Sequence, residues 1–455
     1  MEVMNQSIIA QSTPSGKGAL SLLRLSGSDT YAIIDRIARL PSGQLLSRCA
    51  THTIHYGWVI DEHGERIDQV LFLLMRASHT FTGDDTIEIT CHNNPFIIEM
   101  ILQQALRHGA RLAQPGEFTR RAFENKKLDL VQAEAINELL CAQTETALKK
   151  SLAQLEGTLS HWIADIEQRL VKAYAWSEAS FEFLDDEGNF GTNIKAQLQE
   201  IQAMIAQVKK TFDVQQQIRQ GFRIALIGSV NAGKSSLFNR LLQQERSIVT
   251  EIAGTTRDTV EAGLYRNGNH WTLIDTAGLR QTADVIEQAG IKRSFEEAHK
   301  ADIILLAIDG SRAMTLEEEK VYRDLLAQYS HKIIMTMTKA DKNKVAASTF
   351  FEQALTVSSV TGLHCDVLEQ LIEQKINQLL QRSDAPFLLN KRHYALLLTL
   401  EQQLQMIIKM LEGDIQYELV SYHLREALEQ ISQLTGKSVS EAAMDMVFKE
   451  FCVGK

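Results

Sequence analysis

Residues 228 to 236, Gly228-Ser229-Val230-Asn231-Ala232-Gly233-Lys234-Ser235-Ser236, decide how this chain is read. They fit the phosphate-loop pattern G-x-x-x-x-G-K-[ST] through Gly228, Gly233, Lys234 and Ser235. Before them, Ile224-Ala225-Leu226-Ile227 predicts a buried strand; after them, Ser236 to Leu242 predicts a helix. Strand, loop and helix in that order aim backbone N–H groups and a helix N-terminus at an anion. In such a loop the lysine, Lys234, reaches the terminal phosphates, and the hydroxyl of Ser235 holds Mg²⁺. A chance glycine-rich turn would not come with both flanks.

Further motifs follow in the order used by GTP-hydrolysing domains. Gly254-Thr255-Thr256-Arg257-Asp258 offers Thr256 to Mg²⁺, and it or Thr255 can respond to a γ-phosphate. Asp275-Thr276-Ala277-Gly278 ends an apolar strand, so Asp275 faces the metal and the Gly278 N–H faces the γ-phosphate. Thr338-Lys339-Ala340-Asp341 stands where guanine-reading proteins carry N-K-x-D. The Asp341 carboxylate accepts two hydrogen bonds from the guanine amide edge, which adenine does not offer, so an ATPase reading is disfavoured. Ser358-Ser359 fits the loop that closes over the base. The expected nucleotide contacts are Asn231, Ala232, Gly233, Lys234, Ser235, Ser236, Thr250, Glu251, Ile252, Ala253, Gly254, Thr255, Thr256, Asp275, Thr276, Ala277, Gly278, Thr338, Lys339, Asp341, Ser358 and Ser359. Thr338 is shorter than the usual Asn, which predicts weaker nucleotide binding. Leu279 follows the D-x-x-G motif, so no glutamine there orients the attacking water. Glu287 is the alternative on the segment beyond, although its spacing also suits a solvated helix residue.

Outward from this core, strand patterns at 222–227, 271–274, 303–308, 332–337 and 354–357 alternate with helices, a doubly wound α/β arrangement over 216–380. Residues 1–118 read as a mixed α/β domain. Its strands fall at Ser7–Thr13, Leu20–Gly27, Thr51–Ile60, Gln69–Met75 and Thr86–His92, and its helices at Asp29–Ala38 and Pro95–His108. Residues 119–215 and 381–455 are helical, with 216–380 inserted between them. Ile194, Leu198, Ile201, Ile205, Val208 and Phe212 step by 4, 3, 4, 3, 4, a seam that suits an antiparallel bundle better than a long coiled coil. The fold class expected is multidomain α/β: an N-terminal α+β domain, a helical bundle, and an inserted P-loop domain of Ras-like type.

Composition narrows the function classes. The net charge of −10, from 47 basic and 57 acidic residues, argues against a surface that grips nucleic acid all over. No charged segment leads into an apolar core at the N-terminus, and no apolar run reaches the ~18 residues of a membrane span, so a cytoplasmic protein is expected. Five scattered cysteines form no C-x-x-C pair, which fits a reducing compartment.

Several runs resemble the MnmE (TrmE) family of tRNA-modifying GTPases. They are Asp275 to Arg280, Pro115-Gly116-Glu117-Phe118-Thr119-Arg120-Arg121-Ala122-Phe123, Lys127-Leu128-Asp129-Leu130, Gln132-Ala133-Glu134-Ala135, and the ending Phe451-Cys452-Val453-Gly454-Lys455. The resemblance covers essentially the whole chain. It implies a K⁺-stimulated GTPase that works with MnmG, an FAD- and NADH-using partner. Together they add an aminomethyl or carboxymethylaminomethyl group at carbon 5 of the wobble uridine of tRNA. The carbon comes from a tetrahydrofolate, 5-formyl or 5,10-methylene, bound by an N-terminal domain that also builds the homodimer; a heterotetramer with MnmG follows. It implies that Asn231, Thr250, Ile252 and Thr255 ligate K⁺, that Glu287 is the catalytic residue, and that Arg24, Glu88, Lys127 and Lys455 contact folate. Cys452 is left without a nucleophilic role, since a small buried residue reads equally well. His92-Asn93-Asn94 stands where the family has H-G-G; Asn tolerates positive φ, which would preserve that loop. Lys126 replaces a glycine and Val230 a proline. The rival class is a regulatory GTPase of ribosome assembly without a part in base chemistry.

Overall fold

A computed structural model describes residues 6–180, 187–243, 260–276, 294–342, 353–381, 385–412, 415–449 and 451–454, with 187–189 and 260 by backbone alone. The chain divides into two compact units, one of residues 1–137, 154–201 and 396–455, the other of residues 138–153 and 202–395.

The first unit contains a seven-stranded sheet: β1 (Ile8–Gln11), β2 (Leu20–Ser26), β3 (Ala38–Arg39), β4 (Thr53–Ile60), β5 (Arg66–Met75), β6 (Thr86–His92) and β7 (Arg111–Leu112). Their order is β3-β4-β5-β6-β2-β1-β7, antiparallel except where β7 joins β1. Period-2 alternation divides each strand between two faces. Leu23, Leu25, Phe72, Leu74, Ile87 and Ile89 form a closed core with helices Thr30–Ile37 and Pro95–Arg107. The residues between them point the other way, so Ile54, Tyr56, Leu71, Arg24 and Glu88 share the opposite face. At the β1 end that face is covered, with Phe118 of helix Glu117–Glu124 packed on Ile8 and Ala10.

Asn94 does not use positive φ. It is extended, with φ −120°, and its side chain caps helix Pro95–Arg107 by accepting from the Phe96 N–H. Pro95 at the first helical position has no N–H to satisfy there. Positive φ falls instead on Lys126, at 58°, where the resemblance leads one to expect glycine. The helical part pairs Thr158–Ala179 with Tyr417–Thr435 in antiparallel fashion: the Ser177 and Ser421 hydroxyls bond at 2.8 Å, and Lys437 meets Glu167 at 2.7 Å. Ile194, Leu198, Ile201, Ile205 and Val208 are buried along helix Glu187–Lys209. The seam stops there: Phe212 begins a separate helix, Phe212–Gln220, and stacks on Tyr394 at 3.8 Å.

The second unit holds a six-stranded sheet of β8 (Phe222–Gly228), β9 (Val260–Arg266), β10 (Asn269–Asp275), β11 (Ile303–Asp309), β12 (Ile333–Thr338) and β13 (Leu355–Thr356), ordered β13-β12-β11-β8-β10-β9. Only β9 runs antiparallel to its neighbour, and the sequence pattern had not marked it as a strand. Both faces are closed. Phe222, Ile224 and Leu226 pack with helices Lys234–Gln243 and Cys365–Leu380. Ala225 and Ile227 pack with residues 294–300 and helix Leu316–Tyr329. A sheet buried on both faces reads as unbroken apolar runs, and its ligands sit at strand ends.

Candidate nucleotide site and the open face of the N-terminal sheet

The carboxyl ends of β8, β10, β11 and β12 lie at one edge. Asp275 is paired with Leu226 in register, Ala307 with Gly228, and Asp309 with Thr338. A side chain on Gly228 would run into the Ala307 carbonyl, so only glycine lets β8 turn out beside β11. The loop then takes positive φ at Asn231, 64°, and Gly233, 84°, before helix Lys234–Gln243 starts. Alternating backbone conformations of this kind turn successive N–H groups to one side, where an anion is held. Lys234 is buried, and its ammonium donates to the Gly228 and Ser229 carbonyls at 2.8 and 2.7 Å. Burial pushes its pKa down against the pull of Asp275. Asp275 itself is buried at the strand end, and Thr276 Oγ1 fastens the next residue to the Leu226 carbonyl at 2.8 Å.

The residues expected to read the base lie beside the loop. Thr338 Oγ1 lies 2.6 Å from the Ala232 carbonyl and 3.1 Å from the Ile308 carbonyl. Its one proton serves the shorter bond, so the shorter side chain still ties this motif to the phosphate loop. Lys339, at φ 61°, donates to Asp309 Oδ2 at 2.6 Å. Burial works to raise the Asp309 pKa, but Lys339 and Ser311 outweigh it and hold the carboxyl below its ordinary value. Asp341 is exposed; the buried Ser358 hydroxyl donates to its Oδ1 at 2.6 Å and lowers its pKa. Ala340 N–H donates to the Val357 carbonyl, joining this loop to the one carrying Ser358 and the half-buried Ser359.

Of the expected site residues, Thr250, Glu251, Ile252, Ala253, Gly254, Thr255, Thr256, Ala277, Gly278, Glu287 and Lys455 lie outside the described residues. Of the residues expected at Mg²⁺, Ser235, in the first turn of helix Lys234–Gln243, and Asp275, at the end of β10, are described. These are hard oxygen ligands of the kind that ion takes together with phosphates. Among the described residues, no group of three His, Cys, Asp or Glu side chains is placed to hold a metal. Pattern reading missed Asp309, although it ends Ile303-Ile304-Leu305-Leu306-Ala307-Ile308-Asp309 as Asp275 ends its own strand. It also missed Tyr322 and Arg312, which lie in no nucleotide motif.

The open sheet face brings Arg24 and Glu88 together as cross-strand partners. Arg24 Nε and Nη2 both donate to Glu88 Oε1, at 2.9 and 2.7 Å. The rings of Phe81 and Phe118 flank the guanidinium at 5.7 and 5.6 Å. Lys127 donates to the Ser78 carbonyl in the loop that carries Phe81. The C-terminal run comes to β1: Ser12 Oγ donates to the Gly454 carbonyl at 3.0 Å, and a side chain on Gly454 would strike the Gln11 carbonyl. Cys452 is exposed, which removes the reading of it as a small buried residue.

A P-loop at the strand ends of a two-faced α/β sheet, with Thr338-Lys339-Ala340-Asp341 beside it, defines a Ras-like GTPase domain, accompanied here by an α+β domain and a helical bundle. The profile described as the MnmE helical domain matches residues 130–452, and that of the GTP-binding protein TrmE N-terminus matches residues 7–127. The tRNA modification GTPase MnmE of Moorella thermoacetica is 36% identical over 462 residues, covering all of both chains. Those of Enterococcus faecalis and Thermotoga maritima are 36% and 34% identical over 98% of this chain and at least 98% of their own. The chain belongs to the MnmE family of tRNA modification GTPases.

Proposed function

We propose that this chain is a GTP hydrolase that acts in tRNA modification, forming 5-aminomethyl or 5-carboxymethylaminomethyl uridine at the wobble position with an FAD-dependent MnmG partner. The observation that carries the hydrolase reading is the meeting of Lys234, Asp275, Lys339 and Asp341 around one sheet edge. Nucleotide phosphates enter the loop and draw the Lys234 ammonium from the loop carbonyls, because an anionic acceptor binds a cation more strongly than a carbonyl does. Asp341, already ionised and aimed by Ser358, accepts from the guanine edge. Ser235, Thr256 and Asp275 would hold Mg²⁺, which when bound would neutralise charge on the phosphate oxygens. Asn231, Thr250, Ile252 and Thr255 are the proposed K⁺ ligands, and Glu287 orients the attacking water.

The three-part layout of 1–118, 119–215 with 381–455, and 216–380 belongs to this proposal. So does tetrahydrofolate binding through Arg24, Glu88, Lys127 and Lys455. An Arg between two aromatic rings, with a carboxylate partner, suits a flat polar ring and its anionic tail. Homodimer formation is supported by apolar residues on the same open face: Ile54 is 64% exposed, and Tyr56 and Leu71 are 44% exposed. Among the described residues no helix is long and apolar enough to cross a membrane, and we place the protein in the cytoplasm.

Turnover of GTP and ATP by the full chain, in K⁺ and in Na⁺, tests the reading. GTP alone should be hydrolysed, and much faster in K⁺. Equal rates in the two salts would remove the cation assignment at Asn231, and absence of GTP turnover in both would overturn the hydrolase. Glu287→Ala should bind GTP and fail to turn it over; full turnover would assign the water to another group.

A further inference from the structure

We infer that Tyr322 and Arg312 are positioning residues for the phosphate loop, holding its first turn in the shape that receives a diphosphate; this rests on the nucleotide reading above. Ser229, the second residue of the loop, has every polar group engaged. Its N–H donates to the Tyr322 hydroxyl at 2.8 Å. Its Oγ accepts from Arg312 Nη2 at 3.3 Å. Its carbonyl accepts from the Ala232 N–H and from Lys234 Nζ. The last of these partners is the one that phosphates recruit. Once Lys234 turns to them, Tyr322 and Arg312 still hold Ser229, together with Glu318, whose carboxylate also bonds the Ser229 side chain. The loop turns at positive φ in Asn231 and Gly233, so its shape depends on what fixes the residue before that turn.

Both residues are themselves fixed. Tyr322 is buried on helix Leu316–Tyr329, its hydroxyl 3.4 Å from the Ala307 carbonyl on β11. The Arg312 fork meets both oxygens of Glu318, and Glu318 also closes the capping box with Thr315 that starts that helix. Arg312 Nε lies 3.6 Å from Asp309, whose carboxylate takes the Lys339 ammonium. A chain of charge therefore runs from the base-reading loop through Asp309 and Arg312 to the phosphate loop.

The test measures GDP affinity by fluorescence, KM and kcat for GTP and for ITP, and melting temperature, for the full chain and the variants Tyr322→Phe and Arg312→Gln. ITP lacks the 2-amino group that guanine offers Asp341. Each variant is expected to weaken GDP binding and raise KM about tenfold, the size of one lost hydrogen bond to a partly buried N–H or hydroxyl. The GTP-to-ITP preference should stay unchanged, and the double variant should fall short of the product of the two. A general structural defect would shift that preference or lower both affinities with the melting temperature, and would overturn the proposal. Wild-type GDP affinity in the exposed Arg312→Gln variant would overturn it as well, even if Tyr322→Phe does not fold. Failure of the unaltered chain to bind GDP would instead overturn the nucleotide reading.

Discussion

The two sheets of this protein place their candidate functional groups in opposite ways. The six-stranded sheet is covered on both faces, so its functional groups gather where the strands end. The N-terminal sheet is covered by helices on one face and leaves part of the other open, so Arg24 and Glu88 stand on the face itself beside exposed Ile54, Tyr56 and Leu71. In the first, Ala307 pairs with Gly228 and Asp309 with Thr338 in register, Lys234 donates to the Gly228 carbonyl, and Thr338 bonds the Ala232 carbonyl. The second leaves Ile54, Tyr56 and Leu71 exposed, the surface we assign to the proposed homodimer. A closed sheet thus confines its candidate site to strand ends, whereas an open face presents residues along the face itself.

The largest expected effect lies at the closed sheet. Lys234→Met should lower kcat/KM for GTP by roughly 10²–10³, the scale of losing one strong preorganised donor. It should leave dimer mass and tetrahydrofolate binding untouched. If folate binding fell with it, the separation between the two sheets would be wrong. Asp341→Asn comes next: GTP affinity should drop about 10²-fold while xanthosine triphosphate becomes the better ligand, since an amide donor suits the oxo group of xanthine. Retained GTP preference in competition binding would place base recognition elsewhere.

At the open face, Ile54→Glu with Tyr56→Lys should shift the chain from dimer to monomer in sedimentation, with GTP affinity within about twofold. Arg24→Met should abolish tetrahydrofolate binding by calorimetry and cost about 1 kcal/mol of stability, because it leaves the largely buried Glu88 carboxylate without its partner. A folate affinity equal to the parent would remove Arg24 from that site. The smallest effect concerns pH. Arg312 holds the Glu318 carboxyl far below its ordinary 4.5, at about 2. A depressed folded-state value means the stabilisation is present in full above pH 4.5 and is lost as pH falls from there towards 2. Glu318→Gln should flatten acid unfolding of the second unit in that window, read by circular dichroism; an unchanged slope would show the pair contributes nothing.

The difference between the sheets also governs what could be read from sequence. The phosphate loop is one contiguous run whose glycines and lysine are dictated by backbone geometry, so Gly228 to Ser236 announced both the fold and the ligand class. The strands flanking it are buried on both faces and read as unbroken apolar runs. Strand β9 was missed because Gly263, Tyr265 and Arg266 interrupt that signal on an edge strand. The tie from Thr338 to Ala232 needed coordinates, since a hydroxyl replaces an amide and reach is not visible in a motif. Tyr322 and Arg312 act on the loop from a helix and a turn that share no pattern with it. On the open face, Arg24 and Glu88 are 64 residues apart in sequence and meet only through strand register. Their roles came from resemblance to a family rather than from spacing. The seam that ran through Val208 to Phe212 in sequence breaks at Lys209, because the apolar period persists while the backbone turns into a new helix.

Nucleoside mass spectrometry of tRNA tests the central claim most directly, comparing a strain lacking this gene with the same strain carrying the unaltered chain or Lys234→Met. The account predicts that the 5-aminomethyl-type wobble uridines vanish in the deletion, return with the unaltered chain, and stay absent with Lys234→Met. Unchanged wobble uridines in the deletion strain would contradict it.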